Sequence, residues 1–284
     1  MNWKLARNIA IASLALLNVF LAILIFINRP SYSLNAARKN AILSALAKNR
    51  LSVNADIPER FKPMPQIPMN PPYYDAYLFI DRFLDGKDIS RVIEYDKTIY
   101  SDKTGGHLSF FDNEVLFENE APSDRIEMTI SGAKAFCDEI LRQNSDVMPN
   151  YQLDEYALIK TETGFSVQYR QLYDGYVIYP NRVIFTITEN GLSEMSYTYE
   201  EPLAPEKVSR EIIAPDEALF TLMSRLLNMY RSKAFVIDSI DMIYDKETPG
   251  DETARSLNVE PYYRFCVNGL ETPFLINAYT GIIK

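Results

Sequence analysis

The first apolar segment of the chain is an uncharged run from Ile9 to Ile27, with Asn18 at its midpoint. At a rise of about 1.5 Å per residue, a helix of this length crosses the roughly 30 Å hydrocarbon core of a bilayer. A cleaved signal peptide is the alternative, but signal h-regions run only about 7–15 residues before a small-x-small cleavage site. The longer run therefore predicts a retained transmembrane helix over residues 9–28.

A second apolar pattern at helical spacing predicts an amphipathic helix from about 34 to 49, within a juxtamembrane region of 29–57. Its predicted N-cap is Ser33. The apolar positions are Leu34, Ala37, Ala41, Ile42, Ala45 and Leu46. Two interpretations stay open: the helix packs on the domain that follows, or it rigidly extends the transmembrane helix with a bend at Pro30.

Residues 58–72 contain six prolines. Such a density favours an extended, semi-rigid backbone, because proline fixes φ and removes an N–H donor. The segment is predicted to be a linker, and the folded domain is predicted to begin after it.

Beyond residue 72, helical and alternating patterns follow one another. Helices are predicted at 73–84, 131–144 (with Ser131 as cap) and 214–230. Strands are predicted at 89–102, 107–120, 154–161, 164–173, 176–188, 192–199, 235–245, 261–268 and 272–278. A helix followed by consecutive hairpins predicts an α+β fold of antiparallel sheets, each covered by a helix, in two regions, 73–200 and 201–284.

Composition excludes several classes of function. A net charge of −9 and a pI near 4.9 argue against a nucleic-acid ligand, which needs a positive surface. The chain has no glycine-rich phosphate loop and no dinucleotide fingerprint. No pattern of carboxylates selects a catalytic pair. No catalytic, cofactor-binding or metal-binding residue is predicted.

The rarer residue types do not change this conclusion. His107, the single histidine, follows Gly105-Gly106 and is predicted in an exposed loop. Cys137 is predicted on a buried helix face, and a disulfide to Cys266 is the alternative outside the cytoplasm. The acidic segment 245–258 lacks EF-hand spacing and is predicted to be a solvated loop rather than a calcium site.

Several stretches of the chain resemble YycI-type (WalI) regulators. The N-terminal "MNWKLARNIAIASLALLNVFLAILI" is similar to their anchor, and "NRLSVNADIPER" to their juxtamembrane segment. "YRQLYDGYVIYPNRVIFTITENGLSEMSYTY" resembles their central hairpin. The final "FLINAYTGIIK" also looks like the end of PepSY-type modules, so the resemblance implies two PepSY-like units, with a third, partial unit left open.

The resemblance implies a protein without catalytic activity. In the family, the anchor lies beside the transmembrane helices of a YycG (WalK)-like sensor histidine kinase that controls cell-wall metabolism. A YycH-like paralogue is the partner in a heterodimer. The resemblance also implies a cytoplasmic tail at 1–8 and an extracytoplasmic C-terminal domain, an orientation that the charges flanking the span leave open.

Within the predicted span, one helical stripe is the predicted partner interface. An amide in hydrocarbon is costly unless it is paired, so Asn18 is predicted to bind across a helix–helix contact, with small Ala15 and Ala22 allowing close approach. The stripe consists of Ile11, Leu14, Ala15, Asn18, Leu21, Ala22 and Ile25. Two alternative functions remain: a PepSY-like extracytoplasmic module that restrains a peptidase or cell-wall enzyme, and an anchored hydrolase.

Overall fold

The computed structural model describes residues 3–27, 32–85, 88–231, 233–246 and 258–284. Within these ranges the α-helices are α1 (Trp3–Ile27), α2 (Ala36–Lys48), α3 (Ala76–Phe83), α4 (Ile130–Gln143) and α5 (Pro215–Tyr230). The strands are β1 (Leu51–Val53), β2 (Ile67–Pro68), β3 (Ser90–Ile93), β4 (Thr98–Ser101), β5 (Gly106–Phe110), β6 (Val115–Asn119), β7 (Tyr151–Leu153), β8 (Ile159–Lys160), β9 (Gly164–Tyr173), β10 (Tyr176–Thr188), β11 (Gly191–Thr198), β12 (Phe235–Lys246), β13 (Asn258–Val267) and β14 (Phe274–Asn277). The predicted α+β class is confirmed.

Helix α1 contains the apolar run of the sequence. Its described side chains are Arg7, Asn8 and residues 11–21, and all of them are exposed. Across the described parts of the chain, no helix is both long and apolar enough to cross a membrane. The predicted transmembrane span at 9–28 is therefore not confirmed and stays a prediction.

The strands join into one mixed sheet rather than separate antiparallel sheets. The main path runs β14-β13-β12-β10-β11-β6-β5-β4-β3, and β9 pairs with β10, β7 and β8. Consecutive strands are antiparallel hairpins, as predicted, but β10 pairs with β12 in parallel through Val177 and Ile178. This parallel pairing joins the two predicted regions of the chain.

Two large hydrophobic cores and a small third cluster around Ile243 and Tyr262 lie along this sheet. One contains α3, α4 and the strands between them, with Phe79, Cys137 and Phe185 almost inaccessible to solvent. The other contains α2, α5 and the last strands, with Ile42 and Leu222 at its centre. Helices contribute buried side chains to both cores, and the division into separate helix-plus-meander units stays a prediction.

Helix α2 packs on the domain that follows it, which agrees with the first of the two interpretations of this helix. Ile42 and Leu46 are buried against the core that contains α5. The Arg38 guanidinium donates from Nε to Asp216 Oδ2 at 2.9 Å and from its NH2 group to Asp216 Oδ1 at 2.8 Å. This bidentate pair fixes the first turn of α5 against α2.

The predicted linker at 58–72 is extended but is not a spacer outside the domain. Met64, Ile67 and Met69 are buried, and Ile67 pairs with Val259 of β13. The Met64 backbone exchanges two hydrogen bonds with that of Arg210, each 2.9 Å long. The prolines set the extended backbone, but the apolar residues between them attach it to the core.

Three local predictions are wrong. Asn35, not Ser33, caps α2 by accepting from Arg38 N, and Thr129, not Ser131, caps α4 by accepting from Gly132 N. The predicted strand 154–161 begins instead with a short 3₁₀ turn at Glu155–Ala157. For the two caps, a neighbouring side chain makes the hydrogen bond that sequence alone assigns ambiguously, whereas the 3₁₀ turn has no side-chain cap.

Candidate functional site

The predicted interface stripe lies on α1, and the side chains of its described residues are exposed. Ile11, Leu14 and Leu21 are 60%, 62% and 45% exposed, and Ala15 and Asn18 are also exposed. Ala22 and Ile25 fall within α1, but their side chains lie outside the described residues. The structure places the described stripe where a partner has access to it. Whether it binds a partner stays a prediction.

A second candidate site lies where strand β10 changes partner. The first residues of β10 pair with β12, whereas those from Arg182 onward pair with β11. The β9–β10 register shifts between Ile178 and Arg182, which marks a β-bulge. Bulges of this kind often occur beside functional sites, because they redirect side chains.

The bulge is held by the fully buried Asn181 side chain. Its Nδ2 donates to Gln171 Oε1 and to the Glu200 carbonyl, both at 2.6 Å, and its Oδ1 accepts from Glu200 N at 3.0 Å. These bonds use three of the four hydrogen bonds that an amide side chain can make, and they fix the backbone at the bulge to β9 and to the residues after β11.

Beside the bulge lies a buried network of charges. Asp154 Oδ2 accepts from Arg264 at 2.8 Å and faces Arg170 Nε at 3.4 Å. Arg264 also pairs with Asp241, at 2.6 Å, on the neighbouring strand. Arg170, Arg264 and Asp154 are each no more than 6% exposed. Two buried guanidinium groups therefore share one buried carboxylate.

The surroundings change the pKa of the two arginines in opposite directions. Burial lowers the pKa of Arg170, and this effect outweighs the opposing influence of Tyr179 and Asp154. For Arg264, burial also lowers the pKa, but the hydrogen bond and charge of Asp241, together with Asp154, raise it overall. Arg264 is thus the better compensated of the two charges.

A cavity of about 570 Å³ opens at this junction. Its lining includes Arg170 and Arg182 from adjacent strands and the ammonium groups of Lys246 and Lys284. Sequence analysis missed all four residues, because their proximity depends on pairing between distant strands.

The single histidine lies beside a serine hydroxyl and a glutamate. His107 lies in β5 rather than in an exposed loop, with 32% of its side chain exposed. Its Nδ1 lies 2.7 Å from Ser101 Oγ, and its Nε2 lies 3.6 Å from Glu120. The prediction of a loop position is wrong, because the strand starts at Gly106 and continues through the histidine. The cysteines lie elsewhere, in α4 and β13.

No group of three or more potential metal ligands occurs in the described part of the chain. Within the predicted acidic loop, residues 247–257 lie outside the described residues. Asp245 is described; it is buried and binds Lys284 Nζ at 2.7 Å. Its carboxylate is therefore engaged within the fold.

Cys137 and Cys266 are both free and buried, so no disulfide joins them. Burial raises the pKa of both thiols to about 12; the Asp138 charge adds to this effect at Cys137, and Arg264 opposes it at Cys266. Because only the thiolate is reactive, we expect the native protein at pH 8 to resist an aromatic disulfide reagent such as DTNB. Unfolding in guanidinium should release two equivalents. Rapid native reaction, or fewer than two equivalents without reductant, would contradict the buried free thiols.

The comparisons identify the family. The family described as YycI protein matches residues 31–278, most of the chain. The chain belongs to the YycI family. The resemblance stated from sequence is therefore confirmed, and no curated protein matches the chain.

Membership fixes the general role. YycI proteins are membrane-associated regulators of the YycFG two-component system, and they form a regulatory family rather than a known enzyme family. The chain is thereby associated with the YycG (WalK) kinase system.

Two solved structures match this chain at low sequence identity. A crystal structure of an uncharacterized protein from Eubacterium rectale ATCC 33656 has a TM-score of 0.53 at 11% identity, covering 87% of this chain and 98% of that one. The Bacillus megaterium YpeB C-terminal domain has a TM-score of 0.45 at 12% identity, covering 76% and 98%. The first shows a shared fold and nothing about function.

Proposed function

We propose that this YycI-family protein is a non-catalytic, single-pass membrane regulator that modulates the sensor histidine kinase through helix α1. The tail at 1–8 lies in the cytoplasm, and the C-terminal domain is extracytoplasmic. A YycH-like paralogue binds alongside it. The proposal combines the regulatory role of the family with the properties of α1.

The exposed apolar surface of α1 is the observation that carries this proposal. Leu16, Val19 and Phe20 are 74%, 59% and 54% exposed, in addition to the residues of the stripe. Soluble monomers rarely leave contiguous apolar surface of this kind in water. Lipid and a partner helix are the surroundings that this surface fits, since neither offers the helix water.

Asn18 supplies the specificity of the proposed contact. It is the one carboxamide within residues 9–27 and stands next to the small Ala15 on the same helical face. In hydrocarbon an amide gains most from a hydrogen bond to a neighbouring helix, typically worth about 0.5–2 kcal/mol. To modulate the kinase, α1 must also bind its two conformational states with different affinities. Equal affinity for both states would leave the equilibrium between them unchanged.

Replacing Asn18 with leucine is expected to weaken association with the kinase by about 3–30-fold, which corresponds to loss of one interhelical hydrogen bond. The measurement is energy transfer or crosslinking yield between the full-length proteins in one membrane. Phe20→Leu is the matched control, because position 20 lies on the opposite face of α1 and its change keeps the span apolar.

Two outcomes would argue against the proposal. Unchanged association of Asn18→Leu would remove the specific role of the amide. If replacement of α1 by an unrelated span preserved regulation, the body alone would regulate, as in the alternative of a binding module that restrains a peptidase or cell-wall enzyme.

A further inference from the structure

Two arginines stand directly opposite each other on adjacent strands at the edge of the junction cavity. Arg170 of β9 and Arg182 of β10 are register partners in an antiparallel pair, and both line the cavity. Directly opposed like charges destabilise a sheet. The Arg182 charge also lowers the pKa of Arg170, in the same direction as burial does. The fold thus keeps two like charges side by side, which is unfavourable unless something compensates them.

The two guanidinium groups differ in what holds them. Arg170 faces Asp154, donates to the Tyr179 carbonyl and lies over the Tyr179 ring, 3.8 Å from its centre. In the amide orientation that satisfies Gln168, the Gln168 oxygen also accepts from Arg170. The Arg182 side chain is exposed and makes no hydrogen bond or ion pair to any residue that the structure describes, although its backbone pairs with those of Arg170 and Thr198. Its five N–H donors therefore face the cavity unused.

The two lysines that line the cavity are already paired with buried carboxylates. Lys246 binds the buried Glu200 at 2.5 Å, and Lys284 binds the buried Asp245. Glu114, also in the lining, accepts from Ser196 Oγ at 2.5 Å. The lining itself holds four cationic side chains and two carboxylates. Arg170, Lys246 and Lys284 each have a carboxylate partner, so Arg182 is the cation of this lining without one among the described residues.

We propose that this cavity is a binding site for an anionic ligand, whose carboxylate or phosphate oxygens accept hydrogen bonds from Arg182 opposite Arg170. Arginine suits this role, because its planar fork matches both groups bidentately. The volume is in the range of small-molecule sites, so a ligand larger than its anionic group also fits. The site is independent of α1 and of the kinase contact proposed above.

The test uses the full-length protein in a nonionic detergent, titrated separately with inorganic phosphate and with acetate at constant ionic strength. We expect a saturable rise in Tm with at least one of them, because a ligand that binds only the folded state stabilises it. Arg182→Gln should weaken that binding about tenfold or more. The phosphate and acetate titrations distinguish the two ligand classes.

A second readout separates a ligand site from a structural role. Without anion, Arg182→Gln should raise Tm by about 1–3 °C, because it removes the like-charge pair. Arg225→Gln, at an exposed position of α5, is the matched control and should change neither Tm nor binding. Equal binding by wild type and Arg182→Gln, or no saturable response to either anion, would overturn the proposal.

Discussion

Replacing Asp154 with asparagine is expected to lower the free energy of unfolding by about 3–5 kcal/mol. The buried Arg170 and Arg264 share this carboxylate, and the neutral amide leaves their charges without compensation in a medium where burial is costly. The substitution keeps the shape of the side chain, so loss of charge dominates the effect. Urea unfolding, followed by far-UV circular dichroism, measures this change in the free energy of unfolding.

Asp241→Asn is the matched control for this prediction. Asp241 accepts three hydrogen bonds from the same Arg264, but its side chain is 36% exposed. Water then replaces part of the lost interaction, so a decrease of about 1–2 kcal/mol is expected. Equal losses from the two variants would show that burial of the shared carboxylate is not what makes Asp154 important.

Local sequence information was sufficient for most of the secondary structure. The hairpin at Asp174-Gly175 was predictable because an Asp-Gly dipeptide tolerates the positive φ that a tight turn needs. In the structure the two residues have φ of 49° and 80°. Helix α5 was predictable from Pro215 in its first turn, followed by acidic residues that suit the positive end of a helix. These features depend on neighbours within a few residues, which the sequence displays directly.

The attachment of residues 58–72 was not predictable from local pattern. Proline density correctly indicates an extended backbone, but it does not show whether that backbone has a partner. Ile67 pairs with Val259, and Tyr244 Oη donates to the Pro65 carbonyl at 3.0 Å, across 192 and 179 positions respectively. Contacts at such separation leave no periodic pattern in a single sequence.

The charge network and the parallel β10–β12 pairing were missed for the same reason. Asp154 and Arg264 are 110 positions apart, and neither belongs to a recognisable motif. One indication was available: an arginine inside an aromatic-rich strand, as in "YYRFC" around Arg264, is costly unless it is paired. That pattern predicts a buried partner but does not identify it.

Deleting residues 32–72 is expected to unfold the core around α5, although the sequence pattern alone suggested a domain beginning at 73. This segment contributes eight buried side chains to that core: Leu34, Ile42, Leu46, Leu51, Ile57, Met64, Ile67 and Met69. Burying each contributes about 1.5–3 kcal/mol, so their sum of about 12–24 kcal/mol equals or exceeds most of the roughly 5–15 kcal/mol range of net stability of a whole domain. Cooperative thermal unfolding should be seen for fragment 32–284 and lost for 73–284.

The contrast between the two fragments isolates the role of this segment. Both fragments lack α1, so they are compared in the same buffer without detergent or lipid. Only 73–284 also lacks β1, and the loss of this strand exposes Phe235 and Ile237 of β12. We therefore expect 73–284 to bind a hydrophobic dye strongly, whereas 32–284 binds little. A cooperative transition in 73–284 would show that α2 and the proline-rich segment are dispensable for folding. Otherwise, any functional test of the body without α1 must begin at residue 32, because a shorter fragment would confound loss of regulation with loss of fold.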